Sequence, residues 1–587
     1  MSPAQSTGDA EAFWPMGQWT DASADESVTE LLSRELSLSS ATARILASRG
    51  FTESAETKEF LEPRLSRCMY PDRLPGIAQA ATIIGTHVGL GHRIVVFGDF
   101  DADGMTASTI LRSALVAIGA QADIFIPDRI KEGYGFTEAA LDRCFAEHPG
   151  IKLIVTVDCG ISHAPACDKA VAAGVEVVVT DHHEVGLSVP KSASALVNPC
   201  LPDTPEPMKH LCGAGVAFKL AHELVRRYMT AEAGQAFMQS LIAIAAVGTV
   251  GDLVPLVGEN RIIASRGLDI LNRAPASELV GLRALRESAN LRGAIDAGAL
   301  AFLLVPRINA AGRVGNPQVA IDLLAARDMA TALPLARRLG DFNQLRREEE
   351  QAAVQSAESD IRSCMESNPS ALILFNATWH PGVIGLVASR ISNRNHLPTI
   401  VFTSDDEEGV VRGSARCPEI PGLDLTKLLN CCEDLLLSHG GHRAAAGLTL
   451  RLENLETFKQ RFLAVCAEAE NGLDMRTERR IEVWIEPQDA TDRLECELVR
   501  IGPFGTLNPQ PLLGMRGVTL ASDPSKFGRT SVNWRLDLEE TPVPAILFGH
   551  PEMPFRKGDK LDMVFHFSRD NYEALQFFVK DLRRAQA

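Results

Sequence analysis

The stretch Ile94–Gly104 has the sequence IVVFGDFDADG, in which an apolar run leads directly to three carboxylates at alternate positions, Asp99, Asp101 and Asp103. The apolar run predicts a buried parallel strand that delivers the acids to the mouth of an α/β sheet. Three like charges so close together are strongly unfavourable unless a multivalent cation neutralises them. A solvated acidic turn is the alternative for this stretch alone, but the same strand-then-acid arrangement recurs twice downstream. The pattern therefore indicates a metal site.

The composition is typical of a folded protein with several domains. The chain has 587 residues, of which 45% are hydrophobic, and a chain of this length is expected to form about three or four domains. The net charge of −17 argues against a polycation that coats nucleic acid, although it leaves room for a local basic groove.

Several features predict a soluble cytoplasmic protein with no membrane contact. The twelve cysteines include no CxxC pair, which indicates reduced, mostly structural thiols. Residues 1–25 lack the basic start and apolar stretch of a secretory signal. The longest apolar run, around Leu241–Gly251, is too short to span a bilayer.

A repeated alternation of strands and helices begins at Gly91. It predicts right-handed βαβ units and a parallel sheet, in which function collects beyond the carboxyl ends of the strands. We expect Asp158, the triplet Asp181–His183 and Asp252 to lie at those ends together with the first acids. The predicted strands cover residues 94–97, 123–126, 152–157 and 175–180, and the helices between them cover residues 105–119, 137–147 and 164–173.

The remaining sequence changes texture several times. Residues 328–365 read as a long charged connecting helix, broken near Pro334. A second α/β unit follows, with Gly-rich turns at 412–416 and 439–442, and short strands near the end of the chain predict a small β-barrel of the kind that holds single strands. The predicted divisions are a mainly helical segment at 1–75, a parallel-sheet α/β domain at 76–327, the helix at 328–365, a smaller α/β domain at 366–470 and an OB-type barrel at 471–587.

The candidate ligands favour Mn²⁺ or Mg²⁺, because carboxylates dominate the set, imidazole is present and thiolate is absent. Two such ions would hold a phosphoryl centre, one activating water and the other stabilising the leaving oxygen. Each acid taken alone is better explained as a turn or a helix cap, but this explanation is poor for the whole set. The predicted ligands are Asp101, Asp103, Asp158, His182 and Asp252.

Further residues complete the predicted site. Asp158 is the natural bridge between two ions, and Asp181 would orient a histidine from behind the ligands. His183 would contact the phosphate or act as a proton donor.

The order of these motifs resembles that of the DHH phosphoesterases. The second lobe resembles the companion DHHA1 domain, and two further stretches, Phe97–Gly104 and Pro127–Gly135, resemble the branch of this family that degrades single-stranded DNA. Gly502–Gly505 with Asn508-Pro509 resembles the entry to the oligonucleotide-binding barrel of that branch. The other matching segments are Asp101–Asp103, Val157–Gly160, Asp181–His183, Val250–Asp252, Pro306–Arg313, Trp379–Gly385 and Gly440–Gly447.

The resemblance implies a metal-dependent exonuclease that removes 5′-mononucleotides from single-stranded DNA in repair and recombination. It implies two divalent ions, and as partners a helicase and a single-strand-binding protein; a monomer is expected. The 5′-phosphate would be held by Arg129, Ser414 and Arg416, since arginine is the usual fork for phosphate.

The scissile or adjacent phosphate would be gripped by Arg307, Asn309 and Arg313, with His380, Gly440, Gly441 and His442 facing them from the second lobe. A salt bridge between the lobes is the alternative for Arg307 and Arg313. Tyr134 or Phe136 would stack a base, or else be buried as core aromatics.

The sequence departs from the family pattern at two places. Related small pyrophosphatases have a metal-binding histidine four residues before Asp101, where this chain has Phe97. Asp99 would then act as a ligand or hold a water molecule. Thr506-Leu507 stands where the family resemblance predicts a more flexible pair.

Two other functions are compatible with parts of the pattern. A DHH phosphodiesterase of short oligonucleotides or cyclic dinucleotides would share the metal motifs but lack the C-terminal barrel. A non-catalytic DNA-binding relative would keep the fold but lose metal ligands, whereas this chain keeps every expected acid and histidine except at Phe97.

Overall fold

The computed structural model describes the chain except for residues 1–16, 187–188, 274–277, 406, 419, 421, 471–477, 529–531, 571 and 586–587. The N-terminal segment packs against the far end of the chain. Its strand pairs in parallel with residues 478–481, and Leu32, Ile45 and Leu46 share one hydrophobic core with the C-terminal sheet. The elements of this segment are β1 (Gln18–Asp21), α1 (Glu26–Leu36), α2 (Ser40–Ser48) and α3 (Ser54–Leu61).

A five-stranded sheet forms the centre of the first α/β region. Its strands are all parallel, as the sequence predicts, and the structure gives their order as β3-β2-β4-β5-β6. The elements are α4 (Ile77–Gly89), β2 (Arg93–Gly98), α5 (Ala102–Ala117), β3 (Gln121–Phe125), α6 (Glu138–Glu147), β4 (Leu153–Val157), α7 (Ala164–Ala172), β5 (Glu176–Thr180) and β6 (Ala195–Val197).

Strand β2 is buried on both faces, which explains its unbroken apolar sequence. Ile94 and Val96 enter one core and Val95 and Phe97 the other. The Phe97 ring packs 5.0 Å from Phe125 and 4.9 Å from Phe136. Phe97 is therefore part of the core between the sheet and helices α6 and α7, on the face opposite Ile94 and Val96.

Helices cover the face of this sheet that carries Ile94 and Val96, and the last of them extends to the second lobe. They are α8 (Gly213–Tyr228), α9 (Ala231–Gly251), α10 (Gly258–Arg273), α11 (Val280–Ser288), α12 (Ala297–Ala299), α13 (Val305–Val314), α14 (Gln318–Ala325) and α15 (Met329–Met365), with a π-helical turn, Leu300–Leu304, between α12 and α13.

Helix α9 extends further towards its N-terminus than the apolar run that marks it in the sequence. It has 21 residues and is the one helix in the described part of the chain that is long and apolar enough to cross a membrane. However, 61% of its most apolar window is buried, and it packs against α5, α8 and α10. It is the central core helix of this lobe.

The break expected near Pro334 is wrong, because α15 runs through it without interruption. The proline is the sixth residue of the helix, so the one intrahelical hydrogen bond that it removes is the bond to the Ala330 carbonyl, and the rest of the helix keeps its pairing. One end of α15 packs on α11, α13 and α14, and the other on the second lobe.

The second lobe contains a five-stranded mixed sheet in the order β10-β11-β9-β8-β7. Both segments predicted as Gly-rich turns are instead strands, β9 and β10. Gly413 supplies the reason in β9, since a Cβ there would lie 2.5 Å from the Phe402 ring. The elements are β7 (Leu372–Phe375), α16 (Ile384–Asn395), β8 (Thr399–Ser404), β9 (Val410–Arg416), α17 (Leu425–Asn430), β10 (Leu436–His442), β11 (Ala445–Arg451) and α18 (Leu455–Glu470).

The C-terminal region has a mainly antiparallel seven-stranded sheet in the order β13-β14-β18-β19-β17-β16-β15. Its aromatic core includes Phe565 and Phe577, whose ring centroids are 4.6 Å apart. The elements are β12 (Glu478–Ile481), β13 (Val483–Trp484), α19 (Asp492–Ile501), β14 (Leu513–Thr519), β15 (Ser525–Phe527), β16 (Asn533–Leu536), β17 (Ala545–Leu547), β18 (Lys560–Arg569) and β19 (Leu575–Arg584).

Candidate metal centre and the cleft around it

Three parallel strands deliver most of the predicted ligands to one edge of the first sheet. Asp99 and Asp101 follow β2, and Asp101 also caps α5, since its carboxylate accepts a hydrogen bond from the Gly104 amide at 3.0 Å. Asp158 follows β4 and His182 follows β5.

The expectation that Asp252 also ends a strand is wrong. Asp252 is the C-terminal cap of helix α9. It reaches the same site because α9 packs across α5 and α8.

The ligand atoms converge on His182. Its Nε2 lies 3.0 Å from Asp158 Oδ1, 3.6 Å from Asp252 Oδ2 and 3.8 Å from Asp103 Oδ2. His182 Nε2, Asp158 Oδ1 and Asp99 Oδ2 are buried and have no hydrogen-bond partner among the described residues. Buried polar atoms of native proteins nearly always have a partner, so these three atoms fit ligands directed at a cation.

Three overlapping groups place their donor atoms within 4.8 Å of one another. Asp158 and His182 each belong to two groups, an arrangement that suits two neighbouring cations. Oxygen donors with imidazole and no thiolate match the preferences of Mn²⁺ and Mg²⁺. The groups are Asp158/His182/His183, Asp103/His182/Asp252 and Asp99/Asp101/Asp158.

Electrostatics also favour a cation at this place. Burial, followed by the charge of Asp101, raises the pKa of Asp99 to about 7. Burial is likewise the main cause that raises the pKa of Asp101, and it raises those of Asp158 and Asp252 well above their ordinary value. A bound divalent cation would offset both the desolvation of these carboxylates and their mutual repulsion.

Asp181 organises the second histidine of the motif. Its Oδ1 lies 2.7 Å from His183 Nδ1 and accepts the His182 amide at 2.7 Å, while Oδ2 accepts the Ile161 amide at 2.9 Å. Burial alone would raise the pKa of Asp181, but the hydrogen bond from His183 and its charge lower it to about 2. Burial alone would lower the pKa of His183, but its hydrogen bond to Asp181 raises it to about 9.

Tyr134 completes the surroundings of His183. Its hydroxyl lies 3.0 Å from His183 Nε2, and its side chain is 50% exposed. The alternative base-stacking candidate, Phe136, is fully buried in the core beneath the sheet and is therefore excluded.

The sequence reasoning missed the N-terminus of helix α8. The amides of Gly213 and Ala214 donate to the two oxygens of Asp103 at 2.7 and 2.8 Å. A Cβ at Gly213 would lie 2.5 Å from the Asp158 Cβ, so only glycine fits there. The signal was available as the run of small residues in Cys212–Gly215, directly before an apolar helix, since helix N-termini bind anions.

Helix α13 lies directly against the acidic strand end. Asn309 Oδ1 accepts the Ala102 amide at 2.7 Å, and a Cβ at Gly312 would lie 2.1 Å from the Phe100 carbonyl oxygen. This packing places Arg313, from the end of α13, within electrostatic reach of Asp101.

Arg129, Arg313 and Arg416 form a partly buried cationic cluster. Burial, followed by the charge of Arg129, lowers the pKa of Arg313 to about 10 and also lowers that of Arg416. Arg129 stacks over the Phe100 ring at 4.5 Å, and Arg416 donates to Ser414 Oγ at 3.0 Å. Among the described residues, no carboxylate lies within ion-pair distance of these guanidinium groups.

The lobes meet at this cluster. Arg412, on the same face of β9 as Ser414 and Arg416, donates to the Ile130 carbonyl of the first lobe at 3.5 Å. Arg313 donates to the Gly382 carbonyl of the second lobe at 3.4 Å. The contact of Arg313 with the second lobe is therefore a hydrogen bond to a backbone carbonyl. Among the described residues Arg313 forms no salt bridge between the lobes, so that alternative does not hold for it.

Other predicted substrate residues are less closely grouped. His380 accepts the Gly382 amide at 3.0 Å, next to Arg313. Arg307 instead donates to the Leu303 carbonyl of the preceding π-helical turn and lies near Arg347. The structure therefore does not bring Arg307 into the cluster.

Gly440, Gly441 and His442 lie on the exposed edge strand β10. His442 is in register with Ala445, which is in register with Arg416, so His442 and Arg416 share a face about 10 Å apart. Gly441 has a φ of 149° and a Cβ there would lie 2.3 Å from the Ala445 carbonyl oxygen, which requires glycine.

The fold and the site define a metal-dependent phosphoesterase of the DHH class. Residues 93–249 match the N-terminal domain of the DHH family, residues 368–468 match the DHHA1 domain, and residues 481–581 match the RecJ OB domain. The predicted fold class, a DHH domain and a DHHA1 domain with an OB-type barrel, is confirmed.

The relatives identify the branch. The chain is 32% identical over 574 residues to the single-stranded-DNA-specific exonuclease RecJ of Bacillus subtilis, covering 96% of this chain and 70% of that protein. It is 34% identical to RecJ of Escherichia coli, covering 80% and 82%. The crystal structure of Thermus thermophilus RecJ in complex with Mn²⁺ superposes with a TM-score of 0.81 at 30% identity, covering 97% and 80%. The chain belongs to the RecJ family.

Proposed function

We propose that this chain is a metal-dependent 5′→3′ exonuclease that degrades single-stranded DNA to 5′-mononucleotides. The proposal is carried by one observation: a largely buried cluster of carboxylates and histidine lies beside three partly buried arginines that have no acidic partner among the described residues. The first suits cations and the second suits phosphate, so together they suit a phosphodiester with a terminal phosphate next to it.

The acids and His182 would hold two divalent cations. When bound, these ions neutralise the phosphodiester and lower the pKa of a water molecule. Asp158 is our candidate for the shared ligand, and Asp99 for the extra ligand that replaces the histidine absent at Phe97. Asp103, whose oxygens already accept two amides, is fixed in orientation by helix α8.

The arginine cluster would set the length of the product. Arg129, Arg313 and Arg416, with Ser414, would hold the 5′-phosphate at a fixed distance from the acids, so that one nucleotide is removed at a time. His183, held by Asp181, would contact the scissile phosphate or donate a proton to the leaving oxygen. Tyr134, half exposed beside it, would stack on the terminal base.

The C-terminal sheet offers a path for the rest of the strand. It carries a cleft of about 420 Å³ whose lining includes Arg479, His566, Lys580, Phe548 and Phe578. Basic groups bind the backbone and aromatic rings stack on bases, which is how single strands are held without sequence preference.

The partners follow from the substrate. We propose that a helicase and a single-strand-binding protein supply and protect the strand, that the enzyme acts as a monomer in the cytoplasm, and that it serves repair and recombination. These assignments rest on membership of the RecJ family.

A digestion assay tests the proposed function. The substrate is a 3′-labelled single strand with a 5′-phosphate, compared with its 5′-hydroxyl form and its duplex, in Mn²⁺, Mg²⁺ or EDTA. We expect stepwise shortening of the phosphorylated single strand with either metal, and none with EDTA or with duplex.

Two variants and a matched control sharpen the assay. Asp158→Asn should abolish cleavage, and Arg416→Ala should reduce the preference for the 5′-phosphate. Arg390→Ala, an exposed residue of α16 paired with Glu350, should behave as the parent protein. Cleavage of dinucleotides alone would indicate the small-substrate phosphodiesterase, and binding without cleavage would indicate a non-catalytic relative.

A further inference from the structure

The backbone that follows Asp252 is held in a conformation that its residues do not favour. Leu253 has a φ of 59°, in the left-handed region that costs a non-glycine residue about 1–3 kcal/mol. Its side chain is 67% exposed, so packing of that side chain does not explain the conformation. Leu253 directly follows the C-terminal cap of α9, where helices often turn left-handed and glycine is the usual residue. A contact from outside the helix supports leucine in this conformation.

The contact comes from a turn more than 250 residues away, at the entry to the C-terminal sheet. The Thr506 hydroxyl donates to the Leu253 carbonyl at 2.6 Å, and the Leu256 amide donates to the Thr506 carbonyl at 2.9 Å. A Cβ at Gly505 would lie 2.8 Å from Leu256 Cδ1, so the Leu256 side chain packs directly on the Gly505 backbone.

The turn itself is firmly anchored. Gly505 and Asn508 exchange backbone hydrogen bonds at 2.9 and 3.1 Å. Asn508 is 3% exposed and donates to the carbonyls of Ile501 and Pro503. Arg49, the C-terminal cap of α2, donates to Asn508 Oδ1 at 2.8 Å, so the N-terminal segment also supports the turn.

We propose that Thr506 is a positioning residue that holds the Asp252 carboxylate in the metal centre from the C-terminal region. The inference rests on the proposed role of Asp252 as a ligand. Without the hydroxyl, Leu253 relaxes towards an ordinary φ and the adjacent Asp252 moves with it. The C-terminal region is then part of the catalytic unit as well as a surface for DNA.

The test is a titration of the full chain with Mn²⁺ alone, followed by electron paramagnetic resonance. Thr506→Val removes the hydroxyl at nearly constant volume, Thr506→Ser restores it, and Thr519→Val makes the same change on strand β14. We expect about tenfold weaker Mn²⁺ binding for Thr506→Val, within the range seen for residues that orient ligands. The serine variant and the Thr519 control should match the parent protein.

Kinetics on single-stranded DNA provide a second measurement. In Thr506→Val, kcat should fall at subsaturating Mn²⁺ and recover at high Mn²⁺, with KM for DNA unchanged. Unchanged Mn²⁺ affinity together with a lower unfolding temperature would make the contact structural only and overturn the proposal.

Asp252→Asn separates the two ideas. If it binds Mn²⁺ as tightly as the parent protein, Asp252 is not a ligand and the positioning role fails with it. If Mn²⁺ binding depends on Thr506 but no nucleic acid is cleaved, the positioning role stands and the proposed nuclease activity fails.

Discussion

Asp158 illustrates how a single residue is selected by both backbone and chemistry. Its φ is 61°, a left-handed conformation that aspartate and asparagine tolerate better than most residues. Its Oδ1 lies 3.0 Å from His182 Nε2, yet both atoms lack a hydrogen-bond partner among the described residues. The short chain after β4 therefore directs a carboxylate oxygen towards the cation site at little conformational cost.

We predict that Asp158→Asn loses the stabilisation given by metal while leaving the metal-free fold intact. The amide has the same shape, tolerates the same φ and removes one buried like charge. Mn²⁺ at about 100 times its Kd should stabilise the parent protein by about 2.7 kcal/mol, seen as a rise in unfolding temperature relative to EDTA. The variant should show no such rise. A normal Mn²⁺-dependent rise in the variant would contradict the assignment of Asp158 as a ligand.

His566 gives a pH prediction remote from the metal centre. Burial lowers the pKa of His566 to about 4, despite a hydrogen bond between its Nδ1 and the Pro511 carbonyl. In the unfolded chain, His566 takes up a proton near pH 6.5, whereas in the folded protein its ring stays neutral. The stability that the neutral ring contributes is therefore complete above pH 6.5 and is lost as the pH falls towards 4.

Histidine NMR on the full chain measures this directly. The His566 ring, assigned by its absence in His566→Gln, should titrate well below pH 5.5. A midpoint near 6.5 would show that the His566 ring is as well solvated in the folded protein as in the unfolded chain.

At the scale of elements, helix α8 places its first amides on Asp103 and its first glycine against Asp158. Gly213→Ala should therefore displace Asp158 and reduce activity by about 10- to 100-fold, as for other residues that orient metal ligands. The three atoms nearest to the added methyl group all belong to the Asp158 side chain, so we expect the clash to move that side chain and the fold to survive. Activity at several Mn²⁺ concentrations and the unfolding temperature measure the two effects separately.

Gly340→Ala is the matched control, for which we expect higher stability and no loss of activity. Gly340 lies within α15, and a Cβ there would meet nothing within 4 Å. Alanine should stabilise this helix by about 0.5–1 kcal/mol, with unchanged activity. If both glycine variants lost activity equally, the effect at Gly213 would not be specific to the metal centre.

At the scale of the whole molecule, the chain has a net charge of −17, yet three arginines gather where the two lobes meet. Arg129 comes from the first lobe, Arg313 from α13 and Arg416 from the second lobe, so the cluster forms only when the lobes are assembled. Long helix α15 packs on both lobes and fixes their relation.

We predict that binding of single-stranded DNA weakens with salt and that Arg416→Ala lessens this dependence. Each lost phosphate contact should reduce the slope of log Kd against log salt by about 0.7. Fluorescence anisotropy of a 3′-labelled, 5′-phosphorylated strand in EDTA measures the slope without cleavage, with Arg390→Ala as control. An unchanged slope would show that Arg416 does not contact phosphate.

Much of this protein was predictable because its signals are local. The apolar run before Asp99 identifies a strand buried on both faces, and parallel strands bring their carboxyl ends to one edge. Asp101, Asp158 and His182 therefore meet as expected. The parallel sheet and the C-terminal β-structure followed from the same periodicities, while the Gly-rich strands β9 and β10 were mistaken for turns because glycine marks both turns and close packing.

Only the tertiary structure decided what depends on distant contacts. Asp252 reaches the candidate metal centre from a helix, Phe97 belongs to the core on the α6 and α7 face of the first sheet, and Phe136 is buried. The residues adjacent to each of these three in the sequence do not reveal its placement. The amides of Gly213 and Ala214 on Asp103, and the hold of Thr506 on Leu253, join segments more than a hundred residues apart. The sequence by itself predicted the candidate ligands and the sheet that carries them, since these depend on residue type and local period. The fold decided their orientation and partners, because packing between distant elements sets both.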